Sequence, residues 1–433
     1  MTDQTRYGAA FATCGARWLA ALALATTSAL PVGAQDLRLG VEDVLLEAGV
    51  FSDTTDARTM LTLRATPSAS GRIGRDWEWR AGVRLGATRQ SGGPLPHDDQ
   101  DAVLADTWVR WRTGDTKLTA GLQTVLWGRV DEVPLIDRVS RVDASRLLLD
   151  NLPQRRLPQP IVRWEQAFDT MELDVVLMPS FQGAKLADSR NVWSPVDQQR
   201  GVILGIAPPP ALAAFISSAD LRDDDNGHGG AAVRLTQTGA GDIDWGLTAA
   251  RTRQSLPYYV ADPVAGTLTA THPFQRFLGA DLEFNAAGAT WRSELGLTWD
   301  ARVTATSGQA LKVRTTEWVG AVEFFPGGED LRMNLQLAAR KAHTGADVLE
   351  LREYAALGGE VEDSFDQGRW KLAMRFNLGL NVHDVYLGPR VTFSGWEPHD
   401  VFLAYHHFRG EARTLGGFHR DHSLLTLGLR TRF

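Results

Sequence analysis

From Trp77 to Gln90 the chain alternates strictly. Trp77, Trp79, Ala81, Val83, Leu85 and Ala87 fall on one face, and Glu78, Arg80, Gly82, Arg84, Gly86 and Thr88 on the other. Extended backbone sends successive side chains to opposite faces, so this pattern specifies a strand with one apolar side. It recurs in Trp291–Arg302, Leu331–Arg340 and Trp370–Leu380. These segments run for ten residues or more, whereas a strand in a water-soluble domain has about 5–6. A tilted strand needs about 9–11 residues to cross a bilayer. Their polar faces carry charges and glycines, as the wet lumen of a barrel would. On that parity Glu78, Arg80, Arg84, Arg292, Glu294, Arg332 and Arg375 are expected to face the lumen, together with Gln123 and Arg430 from flanking strands. Trp77, Trp291 and Trp370 stand at segment ends, where an interfacial aromatic girdle belongs. A soluble sandwich or propeller is the competing architecture, because alternation alone does not separate lipid from a dry core.

Both ends of the chain favour the membrane reading. Arg6 and Arg17 precede the apolar run Trp18–Ala25, and Val32-Gly33-Ala34 offers small residues for cleavage. Residues 1–34 therefore read as a secretory signal peptide, and 35–433 as a single barrel domain. The apolar run is too short to span a bilayer, which takes about 20 residues. The one cysteine, Cys14, leaves with the signal, so neither disulfides nor thiol chemistry are expected. In the last strand Leu425, Leu427, Leu429, Thr431 and Phe433 share one face, and Leu424, Thr426, Gly428, Arg430 and Arg432 the other. That ending resembles the closing strand of bacterial outer-membrane β-barrels, whose terminal aromatic is read by the barrel-assembly machinery. The resemblance makes Phe433 the assembly signal.

In order along the chain, seventeen segments carry the strand signature: 40–51, 57–66, 77–90, 103–113, 116–127, 161–168, 171–178, 231–237, 243–251, 277–284, 291–303, 313–324, 331–341, 370–380, 385–393, 401–408 and the closing strand. A single-chain bacterial barrel takes an even number. Leu349–Leu357 brings the total to eighteen, and dropping the weak first segment gives sixteen. The expectation is a closed transmembrane antiparallel β-barrel of 16–18 strands, with eighteen favoured.

Two connections are too long for simple turns. Trp127–Pro160 mixes Leu135, Ile136 and Leu147–Leu149 with charges of both signs, a composition suited to packing. Folded into the barrel mouth, it would place Arg129, Asp131, Asp137, Arg138, Arg141, Asp143 and Arg146 at a pore constriction, where facing charges select what passes. A solvated external cap is the alternative. Pro179–Asn226 carries Trp193-Ser194-Pro195 and a short helix over Ala211–Ser217 after a triple proline, able to plug or cover the opening.

Gly121-Leu122-Gln123 running into Trp127-Gly128, then Asp137, Val142-Asp143 and Leu157-Pro158, resembles a group of outer-membrane barrels related to the alginate-export porins. The match covers about residues 116–200, and Arg141 stands where that pattern has proline. The resemblance implies a passive channel or export duct for a hydrophilic solute or polymer, served in the export case by a periplasmic partner. Outer-membrane lipid is the other expected partner. A net charge of −7 gives no case for nucleic acid. The other readings are a barrel-borne hydrolase and a plugged docking barrel. For a hydrolase, Ser423 follows His422, but adjacent strand residues face opposite sides, and no Gly-x-Ser-x-Gly elbow occurs. His399, His406, His407, His419 and His422 match no metal-ligand spacing, and Asp223-Asp224-Asp225 lacks the acidic residue that closes a calcium loop. Neither metal nor cofactor is expected.

Overall fold

The computed structural model describes residues 35–431 apart from Thr54, Ala240 and Glu329; the expected signal peptide and Phe433 lie outside the described residues. One antiparallel sheet closes on itself. Its strands are β1 (Gln35–Phe51), β2 (Thr59–Ile73), β3 (Trp77–Ser91), β4 (in two pieces, His97–Leu104 and Thr107–Thr113), β5 (Thr116–Gln123) and β6 (Gln159–Phe168). Next come β7 (Met171–Met178), β8 (Gly230–Gln237), β9 (Ile243–Arg253), β10 (Phe274–Ala286), β11 (Ala289–Thr304) and β12 (Ala310–Phe324). The last six are β13 (Leu331–His343), β14 (Glu353–Phe365), β15 (Trp370–Gly379), β16 (Asp384–Trp396), β17 (His399–Gly410) and β18 (Leu424–Thr431). The pieces of β4 pair with the two halves of β3, so nineteen segments make eighteen strands. Val44–Phe51 of β1 pairs antiparallel with Leu424–Thr431 of β18 and closes the ring. Among the described residues no helix is long and apolar enough to cross a membrane; closure is what leaves no sheet edge unpaired in lipid.

The outer surface is apolar. Leu247, Leu278, Leu337, Leu372, Leu403 and Leu427 all stand exposed on it, an arrangement stable only against lipid. Aromatic rings cluster near the short turns: Phe284 stacks on Trp291 at 6.5 Å, and Phe365, Trp370, Phe393 and Trp396 form a chain of rings 4.8–6.4 Å apart. In β18 Leu425, Leu427 and Leu429 are exposed while Leu424, Thr426, Gly428 and Arg430 are buried on the inner side. Leu427→Arg is therefore expected to destabilise the inserted barrel by about 2–4 kcal/mol, read as a lower urea midpoint for loss of the compact, heat-modifiable gel form. Thr426→Ser, one residue away on the inner face, should leave that midpoint unchanged.

Three elements depart from the sequence expectation. Between the expected segments 77–90 and 103–113, His97–Leu104 adds a further strand piece, the first of β4, where Lys185 Nζ meets Asp101 at 2.6 Å; its aspartates, poor strand formers, hid it from the alternation. The strand then breaks at Ala105-Asp106, where the Asp106 carboxylate accepts the Thr124 amide at 2.7 Å. The segment expected to reach Trp127 ends at Gln123, because the chain turns into the lumen there. Gly121 permits that exit: its φ is +132°, and a Cβ would sit 2.4 Å from the Thr107 carbonyl oxygen. The eighteenth strand, expected at 349–357, occupies 353–365 instead, since Leu349 turns inward and is buried.

The interior core lies between the barrel wall and the folded-in connections. Val125, Trp127, Ile136 and Val139 pack on Ile161, Val176, Ala232 and Phe277. Trp193 and Leu149 pack on Phe51, Met60, Tyr386 and Phe408 across the lumen. Burying each such side chain contributes about 1.5–3 kcal/mol, enough together to keep both connections inside. The second connection carries α1 (Pro210–Ser218), whose Ile216 packs with Val196, Ile203 and Leu268 in a separate small cluster.

Candidate constriction and passage

The connection 124–158 is a strut fixed at three places. Its near end is held by Glu294 of β11, which is fully buried. One carboxylate oxygen accepts the Arg129 and Val130 amides at 2.5 and 3.0 Å; the other accepts those of Leu135 and Ile136 at 2.7 and 3.1 Å. Glycine is required at Gly128, where φ is +106° and a Cβ would lie 2.6 Å from that carboxylate. Arg129 Nε also donates to Asp281 at 2.7 Å, and Trp127 Nε1 donates to Asp174 at 2.8 Å.

The far end crosses to the seam between β1 and β18. Asp150 accepts from Arg64 of β2 at 2.7 Å and stands 3.4 Å from Arg146 and 3.9 Å from Arg430. Arg146 in turn meets Glu47 of β1 at 2.7 Å. Burial works against ionising Asp150, but Arg64 and Arg146 outweigh it and hold the carboxyl well below the usual carboxylate range. A third attachment is made from below: Arg375 of β15 donates to Glu132 at 2.9 Å, to Asn151 at 3.1 Å and to the Leu148 carbonyl at 3.2 Å.

The seven charged residues expected at a constriction all lie in this strut, and most are engaged with the wall. Arg129 meets Asp281, Arg138 meets Glu317 at 3.0 Å, Asp143 meets Arg84 at 3.3 Å and Arg146 meets Glu47. Asp131 accepts from Asn334 at 2.8 Å. Asp137 is bound by Arg156 at 2.6 Å within the strut, and Arg141 donates to Gly183 and Gln182 of the second connection. Burial pushes the Arg141 guanidinium below its ordinary value. Of the residues placed on inner faces by parity, Arg84, Glu294, Arg375, Arg430 and Arg332 (3.8 Å from Asp131) touch the strut. Arg332 bridges Glu323 and Glu360, Arg292 bridges Glu283 and Glu323, and Arg80 meets Glu42. Glu78 lies 3.6 Å from Arg72 and Gln123 is buried opposite Gln159.

Space remains on one side of the strut. A cavity of about 440 Å³ near the long-loop end is lined by Glu132, Leu148, Arg340, Tyr354, Arg375 and Tyr386 among others. A second, about 180 Å³, lies toward the short turns and includes Asn151, Lys371, Arg375, Tyr386, Arg390 and Asp400. Arg375 and Tyr386 line both, so the two cavities lie on either side of the contact that these wall residues make with Glu132, Leu148 and Asn151 of the strut. Tyr386, Asn151 and Glu132 were not singled out from the sequence as constriction residues. For Tyr386 the signal was available in the alternation of Val385–Phe393; for the other two it was not, because a loop has no parity.

Ser423 accepts the Phe408 amide at 3.2 Å and lies 3.4 Å from His407, while His422 is occupied with Asp56 at 2.7 Å. That hydrogen bond holds the Asp56 carboxyl below its ordinary value, and burial keeps His419 far below its own. Among the described residues no group of three or more His, Cys, Asp or Glu has metal-site geometry.

The barrel is similar to solved outer-membrane porins. Pseudomonas aeruginosa OccK5 (OpdH) superposes with a TM-score of 0.53 at 8% identity, over 91% of this chain and 97% of that one. Acinetobacter baumannii OccAB1 gives 0.53 at 8%, over 94% and 99%. Pseudomonas aeruginosa OpdK, solved with vanillate, gives 0.52 at 12%, over 92% and 98%. At such identities the likeness is one of fold. No curated protein matches the chain. A family model described as a protein of unknown function, DUF1302, matches residues 46–431, nearly the whole barrel, and the chain belongs to that family.

Proposed function

We propose that the barrel is an outer-membrane diffusion channel for small hydrophilic solutes, with its constriction where Glu132, Leu148 and Asn151 of the strut meet Arg375 and Tyr386 of the wall. The observation that carries this reading is a pair of lumen cavities, one toward the long loops and one toward the short turns, that share Arg375 and Tyr386 as lining. The seven charged residues first expected at the constriction serve in it mainly to hold the strut in place. Of the cargoes implied by the resemblance to alginate-export porins, the filled lumen favours a small solute over a polymer, and a diffusion channel needs no periplasmic export partner. Engagement of the closing strand by the barrel-assembly machinery remains part of the proposal.

Arg375 and Glu132 pair at 2.9 Å where wall and strut meet at this constriction. Removing one leaves the other facing the solute, and a unit charge at such range is worth roughly 1–4 kcal/mol to a passing ion. In planar bilayers Arg375→Ala should shift the reversal potential toward cations several-fold, and Glu132→Gln toward anions. Correctly inserted wild-type protein that carries no current would overturn the channel reading in favour of a plugged docking barrel. Current with unchanged selectivity in both variants would move the constriction elsewhere.

A further inference from the structure

The outer surface of the barrel carries a charge arrangement that passage through the lumen does not explain. At the long-loop ends of β9 to β13, just beyond the apolar belt, Arg251, Arg276, Lys312, Arg314 and Lys341 point outward from exposed positions. Arg302 joins them, since its neighbours Ala301 and Val303 are buried on the inner side. Two like-charged pairs sit directly opposite one another in the ladder: Arg251 against Arg276, and Arg302 against Lys312. Directly opposed like charges destabilise a strand pair.

Compensation within the protein is incomplete. Arg276 Nε meets Asp300 at 2.9 Å and Lys341 meets Glu353 at 2.6 Å. Among the described residues no carboxylate lies at ion-pair distance from Arg251, Arg302, Lys312 or Arg314. Arg251 rests only on the ring of Phe274, 4.7 Å from its centroid. Its neighbour two residues on, Arg253, is by contrast satisfied by the His228 and His272 carbonyls.

Below the arginine pair the lipid-facing wall is hollowed. Ala231 and Ala249 stand between Val233, Leu278 and Trp299 and leave an open furrow of about 520 Å³, with Arg251 and Arg276 among its lining residues. An apolar furrow with two guanidiniums at its end matches one kind of molecule. We infer that it binds a phosphorylated lipid of the outer leaflet, an acyl chain lying along Ala231 and Ala249 and the headgroup phosphate between Arg251 and Arg276. Guanidinium suits phosphate because its planar fork donates two parallel hydrogen bonds. Arg302, Lys312 and Arg314 continue the basic rim and would take further headgroup charge. The short turns mark the periplasmic side of such a barrel, which puts this rim at the outer leaflet.

The test uses the mature protein in neutral detergent, with diphosphorylated lipid A and the same lipid stripped of its phosphates as probes, and native mass spectrometry as readout. Wild type should retain the phosphorylated probe and lose most of the dephosphorylated one. Arg251→Gln with Arg276→Gln should weaken retention about thirtyfold, two interfacial charges being removed. Ala249→Phe, which fills the furrow and leaves both arginines, should weaken it as well and serves alone if the double variant fails to show heat-modifiable mobility. Equal retention of the two probes, or retention unchanged by a folded variant, would overturn the inference. Neither result bears on whether the lumen conducts.

Discussion

Asp150→Asn should give a channel of markedly higher conductance in a barrel that still inserts. Asp150 is the shared counter-charge of Arg64, Arg146 and Arg430, with side chains 5–9% exposed. Neutralising it leaves three buried guanidiniums with only Glu47 and Asp43 to answer them, and breaking a buried pair from one side costs about 3–5 kcal/mol. That cost falls on docking of the strut rather than on the strand ladder, so the far end should swing free and widen the passage. Acidification should not mimic the variant until the pH is very low. A carboxylate whose folded pKa lies below its unfolded value of about 3.9 stabilises above that unfolded value and loses the contribution as pH falls through the folded one. Since Asp150 is strongly depressed, wild-type conductance should hold constant between about pH 5 and 8, while the variant is open throughout. Equal conductance in the two proteins would mean that the strut stays put without this anchor.

The second large effect is expected at Glu294. Its two oxygens take four backbone amides, two each. In Glu294→Ala these donors lose their acceptor, and a buried unsatisfied group costs about 1–3 kcal/mol. Glu294→Gln keeps one acceptor oxygen but turns an amide NH₂ toward two other N–H groups, so it should fall between alanine and wild type. Hydrogen exchange at residues 129–136 measures this directly, with protection lost in the order Ala, Gln, wild type. Retained protection in Glu294→Ala would show that the packing of Val130 and Leu135 on Val319 and Ala321 suffices.

How much of this was legible in the sequence follows from where parity applies. In Trp77–Ser91 and Leu424–Thr431 the alternation states which side chains meet lipid, because one bulk property decides the face. It also placed Arg375 and Glu294 on inner faces. What it did not convey was their partners: Glu294 meets a stretch 158–165 residues earlier, and nothing local in either segment encodes that contact. The strut itself was visible only as a composition. Its aliphatics implied packing, but the ion pairs that now fix Arg138 and Arg146 depend on wall residues supplied by strands far away in the chain. The breaks at Ala105-Asp106 and after Gln123 were missed for a related reason. Each depends on a tertiary hydrogen bond or a close backbone approach, Asp106 to Thr124 and Gly121 to Thr107, that overrides strand propensity.

The anchoring of the strut also sets a timetable for assembly. Its partners lie on both sides of the closing seam: Glu47 of β1 and Arg64 of β2 on one side, Arg430 of β18 on the other, with Asp43 bridging β1 to Arg430 at 3.4 Å. The contact between Arg375 and Glu132 spans 243 residues of chain. Residues 124–158 emerge early from the ribosome, yet their last partner belongs to the final strand. The strut therefore completes its set of contacts only when the last strand has joined the first, since Arg430 is supplied by the closing strand. Once docked, Asp150 ties Arg64 to Arg430 across the joint, so the segment that narrows the bore also locks the ring shut.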